Sequence, residues 1–256
     1  MDDRGSARGG LAGRAALVTG GVRGLGLSIA RRLAADGACV AVTSRNPAAA
    51  AEATATFGAA RVLTCDVADP VSVDAAFAAA TAALGGIDIL VNNAGIAPPP
   101  ARIEDTPVED WNRTIATDLT GPFLCCRAVV PAMRHAGWGR IVNIGSTGAQ
   151  TTFSPILAYA AAKGGLASLT RMLAMELAGT GITVNAVMPG PVMTRMLAGT
   201  LPAERLAARE SEIPIGRLGT PEEVAAAVAF FCAADSDWIT GESLTVGGGL
   251  PGRRIR

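Results

Sequence analysis

Ala15-Ala16-Leu17-Val18-Thr19-Gly20-Gly21-Val22-Arg23-Gly24-Leu25-Gly26 is the stretch that decides how this chain folds. Four apolar residues read as a buried strand, and the glycines after them permit a sharp turn. From Leu25 an apolar pattern of helical period runs on to residue 35. A helix starting just past such a turn presents unpaired N–H groups, which suit a pyrophosphate. Glycine clustering alone is a weak signal in a chain with 31 glycines; its place between a first strand and a first helix strengthens it.

Outward from this unit the alternation continues. Short apolar runs occupy 39–43, 61–65, 87–92, 140–145, 183–188 and 243–246, and helical stretches include 71–84, 111–135, 155–177 and 221–233. That rhythm predicts one α/β domain over residues 14–250, a doubly wound parallel sheet of about seven strands with helices on both faces. The runs are almost continuously apolar, as strands covered on both faces should be. Residues 1–13 and 251–256 read as tails, the first of them mobile. Residues 190–215, punctuated by Pro191, Gly199, Pro202 and Pro214, leave the carboxyl end of the sixth strand. Open α/β sheets bind ligands at that end, so this segment reads as a lid.

Composition narrows the function. The 256 residues carry 22 basic and 22 acidic side chains, are 50% hydrophobic and only 17% charged. Zero net charge without a basic cluster argues against nucleic-acid binding. No apolar stretch reaches the roughly 18 residues of a membrane span, and the opening MDDRGSARGG lacks the core of a secretion signal, which predicts a cytoplasmic protein. Cys39, Cys65, Cys125, Cys126 and Cys232 are odd in number, form no CxxC pair and sit in apolar runs, so they read as reduced core thiols with no metal site. Low charge with high apolar content favours burial between subunits, hence a homo-oligomer.

A nicotinamide dinucleotide without a 2′-phosphate calls for a carboxylate at the end of the second strand. This chain reads Thr43-Ser44-Arg45 there, and Arg45 together with Arg23 suits a 2′-phosphate instead, predicting NADP(H) over NAD(H). Asp66-Val67 follows the third strand; Asp66 either meets the adenine amino group or belongs to a helix start.

Of the 22 basic residues 21 are arginine; the one lysine is Lys163, four positions after the one tyrosine, Tyr159. Residues i and i+4 share a helix face. A phenol ionises near ~10, and bringing that to ~7 requires about 4 kcal/mol of preference for the phenolate, which a neighbouring ammonium supplies in part. Ser146, at the end of the fifth strand, falls near this pair. His135, the only histidine, precedes Gly137 at a helix end and reads as a surface residue.

Taken together, Thr19-Gly20 with Gly24 and Gly26, Asp66, Asn92-Asn93-Ala94-Gly95, Ser146, Tyr159-Ala-Ala-Ala-Lys163, Asn185, Pro189-Gly190 with Thr194, and Thr240-Gly241 through Val246-Gly247-Gly248 resemble the short-chain dehydrogenase/reductase family. The likeness is to its single-domain members, 3-oxoacyl reductases and gluconate 5-dehydrogenase-like enzymes among them, over about residues 11–250. The resemblance implies a Rossmann-like fold in which Tyr159 is the acid/base, Lys163 lowers its pKa and holds the nicotinamide ribose, and Ser146 polarises the carbonyl. Gly20, Arg23, Gly24, Leu25 and Gly26 would hold the pyrophosphate, and Ser44, Arg45, Asp66 and Val67 the adenosine end. Asn92, Asn93, Ala94 and Gly95 would line the cofactor, and Pro189, Gly190, Val192 and Thr194 its carboxamide. Substrate would meet Ser146, Gln150, Phe153, Tyr159 and Ile96. One position departs: Asp118 stands where the family usually carries the Asn of a catalytic tetrad. A carboxylate adds charge and loses two donors, which predicts retained activity with an altered pH profile. Ala149 and Gly247, where the family often has Gly and Asp, are smaller departures.

The function implied is an NADP(H)-dependent oxidoreductase interconverting a ketone and a secondary alcohol on a small metabolite. The alternatives are a 3-oxoacyl-(acyl-carrier-protein) reductase, which by the resemblance docks an acidic carrier on basic residues where this chain holds Gly137 and Met175, and, in another class, an NADP(H)-binding sensor or structural subunit without chemistry. The resemblance further implies a homotetramer, with helices 111–135 and 155–177 forming one interface and helix 222–233 with the last strand the other.

Overall fold

Strand β1 (Ala15–Val18) is buried along its whole length and pairs in parallel with β2 (Cys39–Ser44) on one side and β4 (Ile89–Asn92) on the other. In the computed structural model, which describes residues 10–149, 156–193 and 210–250, it lies inside a seven-stranded sheet. The remaining strands are β3 (Val62–Thr64), β5 (Gly139–Ile144), β6 (Ile182–Pro189) and β7 (Ser243–Val246). Every pairing is parallel, in the order β3-β2-β1-β4-β5-β6-β7. This is the doubly wound, Rossmann-like sheet that the alternation predicts.

Two-residue side-chain alternation divides the apolar runs between two cores. Ala16, Val18, Val40, Val42, Ile89, Val91, Val142 and Ile144 share one with helices α1 (Gly24–Ala35), α2 (Pro47–Phe57) and α7 (Pro221–Cys232). Leu17, Ala41, Leu90, Ile141 and Val184 share the other with α3 (Pro70–Leu84), α5 (Gly121–Ala136) and α6 (Leu157–Glu176). Helix starts follow their caps: Asp69 accepts from Val71 N ahead of Pro70, and Thr220 and Glu223 form a reciprocal capping box on α7.

Three details differ from the reading of the sequence. Leu11, assigned there to the tail, is buried against the first core, and its N–H bonds Asp36 O. Cys39 is exposed rather than in the core, because it opens β2 at the amino end of the sheet; the other four cysteines are buried and all five are free. Burial pushes the Cys126 and Cys232 thiols up to about 12, which keeps them protonated. The stretch 111–135 is not one helix: α4 (Val108–Ile115) and α5 are joined by a single π-helical turn, Ala116–Thr120. Gly121 N–H bonds Ala116 O, five residues back, and Pro122 has no N–H to give the Asp118 carbonyl in a regular α turn.

Candidate active site

The carboxyl ends of the strands carry the loops in question. Gly20 adopts φ +63°, and a Cβ there would stand 3.1 Å from Ala94 Cα. A Cβ on Gly26 would collide with Asn93 Nδ2 and Gly20 O, so the first turn of α1 lies directly against the loop. The loop after β4 braces it: Asn93 Nδ2 donates to Thr19 O at 2.9 Å and Gly20 O at 3.2 Å, and Asn93 N and Ala94 N both donate to Thr19 Oγ1 at 3.0 Å. Arg23, exposed and extended, precedes α1 without giving it a side-chain cap. A rigid glycine turn, a helix start with no competing side-chain acceptor and an arginine at its rim fit a pyrophosphate.

At the far end of this groove, Ser44 is buried and spends its hydroxyl on Asn46 N and O. Arg45 is exposed and ion-paired, its Nη1 3.5 Å from Asp66 Oδ2. Asp66 Oδ1 accepts from Ala68 N while Asp69 caps α3, so Asp66 shapes the turn ahead of the helix and is not its cap. Val67 is buried beneath Gly121, where a Cβ would press against its side chain at 2.8 Å.

Ser146, Tyr159 and Lys163 come together past β5. A Cβ built at Gly148 would lie 3.2 Å from Ser146 Oγ and 3.9 Å from Tyr159 Cε1, so hydroxyl and phenol flank one residue. Ser146 Oγ accepts from Gly148 N at 3.0 Å, which leaves its proton free to point elsewhere. Lys163 Nζ is 5.5 Å from the Tyr159 ring centre and donates to Ile144 O at 3.0 Å. The π turn aims Asp118 at the same ammonium: its Oδ2 stands 3.2 Å from Lys163 Nζ, with the Lys163 side chain 5% and the Asp118 side chain 0% exposed. Asp118 Oδ1 accepts from Ile96 N at 2.8 Å, whereas Oδ2 accepts no aligned hydrogen bond. Burial pushes the Asp118 carboxyl up from its ordinary range; Lys163, the Ile96 N–H and, more weakly, Arg45 oppose that rise. Gly95 makes room for the pair, since a Cβ there would come within 2.8 Å of Asp118 Oδ2.

Some expected residues lie elsewhere or do other work. The Asn92 side chain is buried and donates to Asn143 Oδ1 at 2.8 Å. Asn143 in turn donates to Thr170 Oγ1 at 2.9 Å, tying α6 to the sheet below Lys163. Sequence reading missed Asn143, Thr170 and the bracing hydroxyl of Thr19; a polar residue inside an apolar strand run was the signal for Asn143. Asn185 holds Glu242 N and Ile239 O, which joins β6 to the segment before β7. Pro189 ends β6, Gly190 N donates to Val246 O, and Val192 bridges to Gly219. Thr194, Gln150 and Phe153 lie outside the described residues. His135 is exposed in the last turn of α5. Among the described residues no group of His, Cys, Asp and Glu can hold a metal ion. No described helix is long and apolar enough to cross a membrane.

A buried ammonium beside a phenol, with a hydroxyl opposite and a phosphate-ready loop one strand pair away, is equipped to move a proton at a substrate oxygen next to a bound dinucleotide. Known proteins place the chain in the same company. A family model described as enoyl-(acyl carrier protein) reductase matches residues 20–251. A 2-dehydro-3-deoxy-L-rhamnonate dehydrogenase (NAD(+)) of Sphingomonas is 39% identical over 93% of this chain and 95% of its own. The 3-oxoacyl-(acyl-carrier-protein) reductase of Escherichia coli is 41% identical over 93% of this chain and 97% of its own. The crystal structure of a candidate gluconate dehydrogenase from Agrobacterium tumefaciens superposes with TM-score 0.89 at 35% identity, covering 94% of this chain and 97% of that one. With its all-parallel seven-stranded sheet and these matches along nearly its whole length, the chain belongs to the short-chain dehydrogenase/reductase family, oxidoreductases that interconvert alcohols and carbonyl compounds.

Proposed function

We propose that the protein is an NADP(H)-dependent oxidoreductase that interconverts a ketone and a secondary alcohol on a small free metabolite, with Tyr159 as acid/base. The observation that carries this reading is the buried Lys163 ammonium 5.5 Å from the Tyr159 ring centre, with Ser146 on the other side of Gly148. Ser146 gives the substrate oxygen a hydrogen bond, and Tyr159 gives it a proton in the reducing direction and takes that proton back in the oxidising one. General acid–base catalysis of this kind contributes about 10²–10⁴-fold. When bound, the dinucleotide supplies or accepts the hydride at the substrate carbon.

The turn from Gly20 through Gly24 and Leu25 to Gly26 holds the pyrophosphate. Arg45 and Arg23 face the 2′-phosphate, Asp66 and Val67 the adenine, and Lys163 the ribose beside the nicotinamide. Pro189, Gly190, Val192 and Thr194 border the carboxamide. The Arg45–Asp66 pair bears on the choice of cofactor: a 2′-phosphate competes with Asp66 for a guanidinium already held at the groove. Ile96, half-buried beside Asp118, belongs to the substrate wall, together with Gln150 and Phe153.

Relatives named for sugar-acid substrates support a small polar metabolite. A 3-oxoacyl-(acyl-carrier-protein) reductase is the second reading, favoured by the Escherichia coli relative. Against it, Gly137 and the exposed Met175 occupy the positions at which the resemblance expects basic residues for an acidic carrier. Exposed Phe123, Met172 and Met175 on α5 and α6, and Phe230 with Leu244 on α7 and β7, support two subunit interfaces and a homotetramer.

The experiment follows NADPH and NADH oxidation over a panel of free ketones, sugar-acid ketones and acyl-carrier-bound 3-ketones, for wild type, Tyr159→Phe and Arg45→Asp. Turnover on free ketones, lost by about 10³-fold in Tyr159→Phe and shifted toward NADH in Arg45→Asp, is the expected result. Tight NADPH binding without Tyr159-dependent turnover on any substrate would identify a sensor. Equal use of both cofactors by wild type and Arg45→Asp would remove the NADP(H) assignment.

A further inference from the structure

The pairing of Lys163 with a carboxylate has a chemical consequence for the phenol beside it. Two groups near Lys163 carry or gain negative charge: Asp118, 3.2 Å from Nζ, and the Tyr159 oxygen whenever it loses its proton. One ammonium serves both. An amide at position 118 would leave that charge uncompensated; the carboxylate cancels part of its field.

We propose that Asp118 is a positioning residue that acts through Lys163: it fixes the ammonium between the π turn and the end of β5 and offsets part of its charge, so Tyr159 keeps its proton to a higher pH than it would beside a neutral residue. This rests on the reading of Tyr159 as the acid/base.

The geometry supports both halves. Lys163 Nζ donates to Ile144 O on β5 and stands 3.2 Å from Asp118 Oδ2, so the ammonium is held from two sides. Asp118 is itself held by Ile96 N through Oδ1, so the carboxylate cannot swing away without breaking that bond. Among the described residues, the charged groups facing Asp118 are few. Lys163 approaches from α6, and Arg45 acts from the end of β2 at longer range. The loop after β4 brings only the Ile96 N–H and Gly95. On α4, Asp110 and Arg113 pair with each other at the surface, and Arg127 of α5 is exposed. Burial raises the Asp118 carboxyl, and the Lys163 ammonium 3.2 Å away favours its charged form.

The effect falls on the direction of catalysis. A phenol that holds its proton longer remains an acid, ready to protonate the oxygen of a carbonyl, over a wider pH range. Its alkaline limit for ketone reduction moves up, and the pH at which it becomes the base needed for alcohol oxidation moves up with it. Asp118 therefore suits the chain to carbonyl reduction near neutral pH.

A direct test exists because Tyr159 is the only tyrosine in the chain. The ultraviolet absorbance of tyrosinate, followed against pH, reads this one residue without substrate or turnover. Wild type, Asp118→Asn and Asp118→Ser are titrated with and without NADP+, with near-ultraviolet circular dichroism confirming the fold of each. The expected result is a midpoint about 0.5–1 pH unit lower in both variants, since both remove the charge although they differ in size and hydrogen bonding. Where a ketone substrate is in hand, the alkaline limb of reduction moves down by the same amount. An unchanged or raised Tyr159 midpoint in the folded variants overturns the proposal. Failure to turn over any ketone would instead count against the proposed function and leave the titration result standing as its own answer.

Discussion

Lys163 and Arg140 are cations taken out of water at opposite ends of strand β5, 4% and 1% exposed. Arg140 lies in the strand near its amino end, while Lys163 reaches in from α6 to the carbonyl of Ile144 at the carboxyl end. Their partners differ in kind. Arg140 Nη1 donates to Gly139 O at 3.0 Å and Gly181 O at 3.3 Å, and its guanidinium lies 4.4 Å from the Trp138 ring centre, where Arg14 also stacks at 3.7 Å. Burial pulls the Arg140 guanidinium down from its ordinary value, with Asp237 opposing, but a guanidinium still does not lose its proton in the working range. It is a permanent, flat, delocalised cation, suited to stacking and to carbonyls. Lys163 is a compact charge set between the Asp118 carboxyl and the Tyr159 phenol. The same sheet thus places a stacked cation beside Trp138 at one end and, where the loops open, the cation that the proposed function assigns to chemistry.

Exchanging the two residue types is the strongest way to break that contrast. Lys163→Arg is expected to lower kcat about 100-fold or more, because a planar fork cannot occupy the space between Asp118, Ile144 O and Gly95 while remaining beneath the phenol. Steady-state kinetics would show it, and near-normal turnover would place the chemistry elsewhere. Arg140→Lys should do the reverse: turnover within about twofold, but a stability loss of about 1–3 kcal/mol from the lost stack and carbonyl bonds, read as a melting temperature lower by about 2–8 °C. A loss of activity greater than the loss of stability would show that the amino end is coupled to the site. The exposed Arg217 sets the floor. It pairs with Glu223 at the start of α7 and pulls that carboxyl from 4.5 down to about 2. A depressed carboxylate contributes stability above its unfolded value and loses it as pH falls, so the effect of Arg217→Met should be small at neutral pH and disappear between 4.5 and about 2. Thermal melts across that range test it; a change as large as that of Arg140→Lys would mean that exposure does not separate these cations.

Much of this was legible in the residues. The β1–glycine–α1 unit, the succession of about seven strands along the chain and the i, i+4 relation of Tyr159 and Lys163 all follow from local pattern, and the structure places them accordingly. What pattern could not show are contacts made across the sheet. The bracing of the glycine loop by Asn93, the turning of Asn92 into a buried chain with Asn143 and Thr170, and the pairing of Arg45 with Asp66 each join residues from different strands or loops. The break between α4 and α5 escaped because apolar periodicity runs through it; only the missing N–H of Pro122 betrays it, and one proline near a helix start is ordinarily tolerated.

Sequence alone determined the class of fold and singled out Tyr159 and Lys163 as the pair to which the proposed function assigns proton transfer, because hydrophobic period and residue rarity are local properties of a chain. Tertiary structure alone decided what surrounds them. By local pattern Asp118 is one more acid in a helical run; the π turn faces it inward, and parallel pairing of β4 and β5 brings the Ile96 N–H to Asp118 and the Ile144 carbonyl to Lys163. The charge that a buried group feels depends on neighbours supplied by other elements, and no local pattern carries that information.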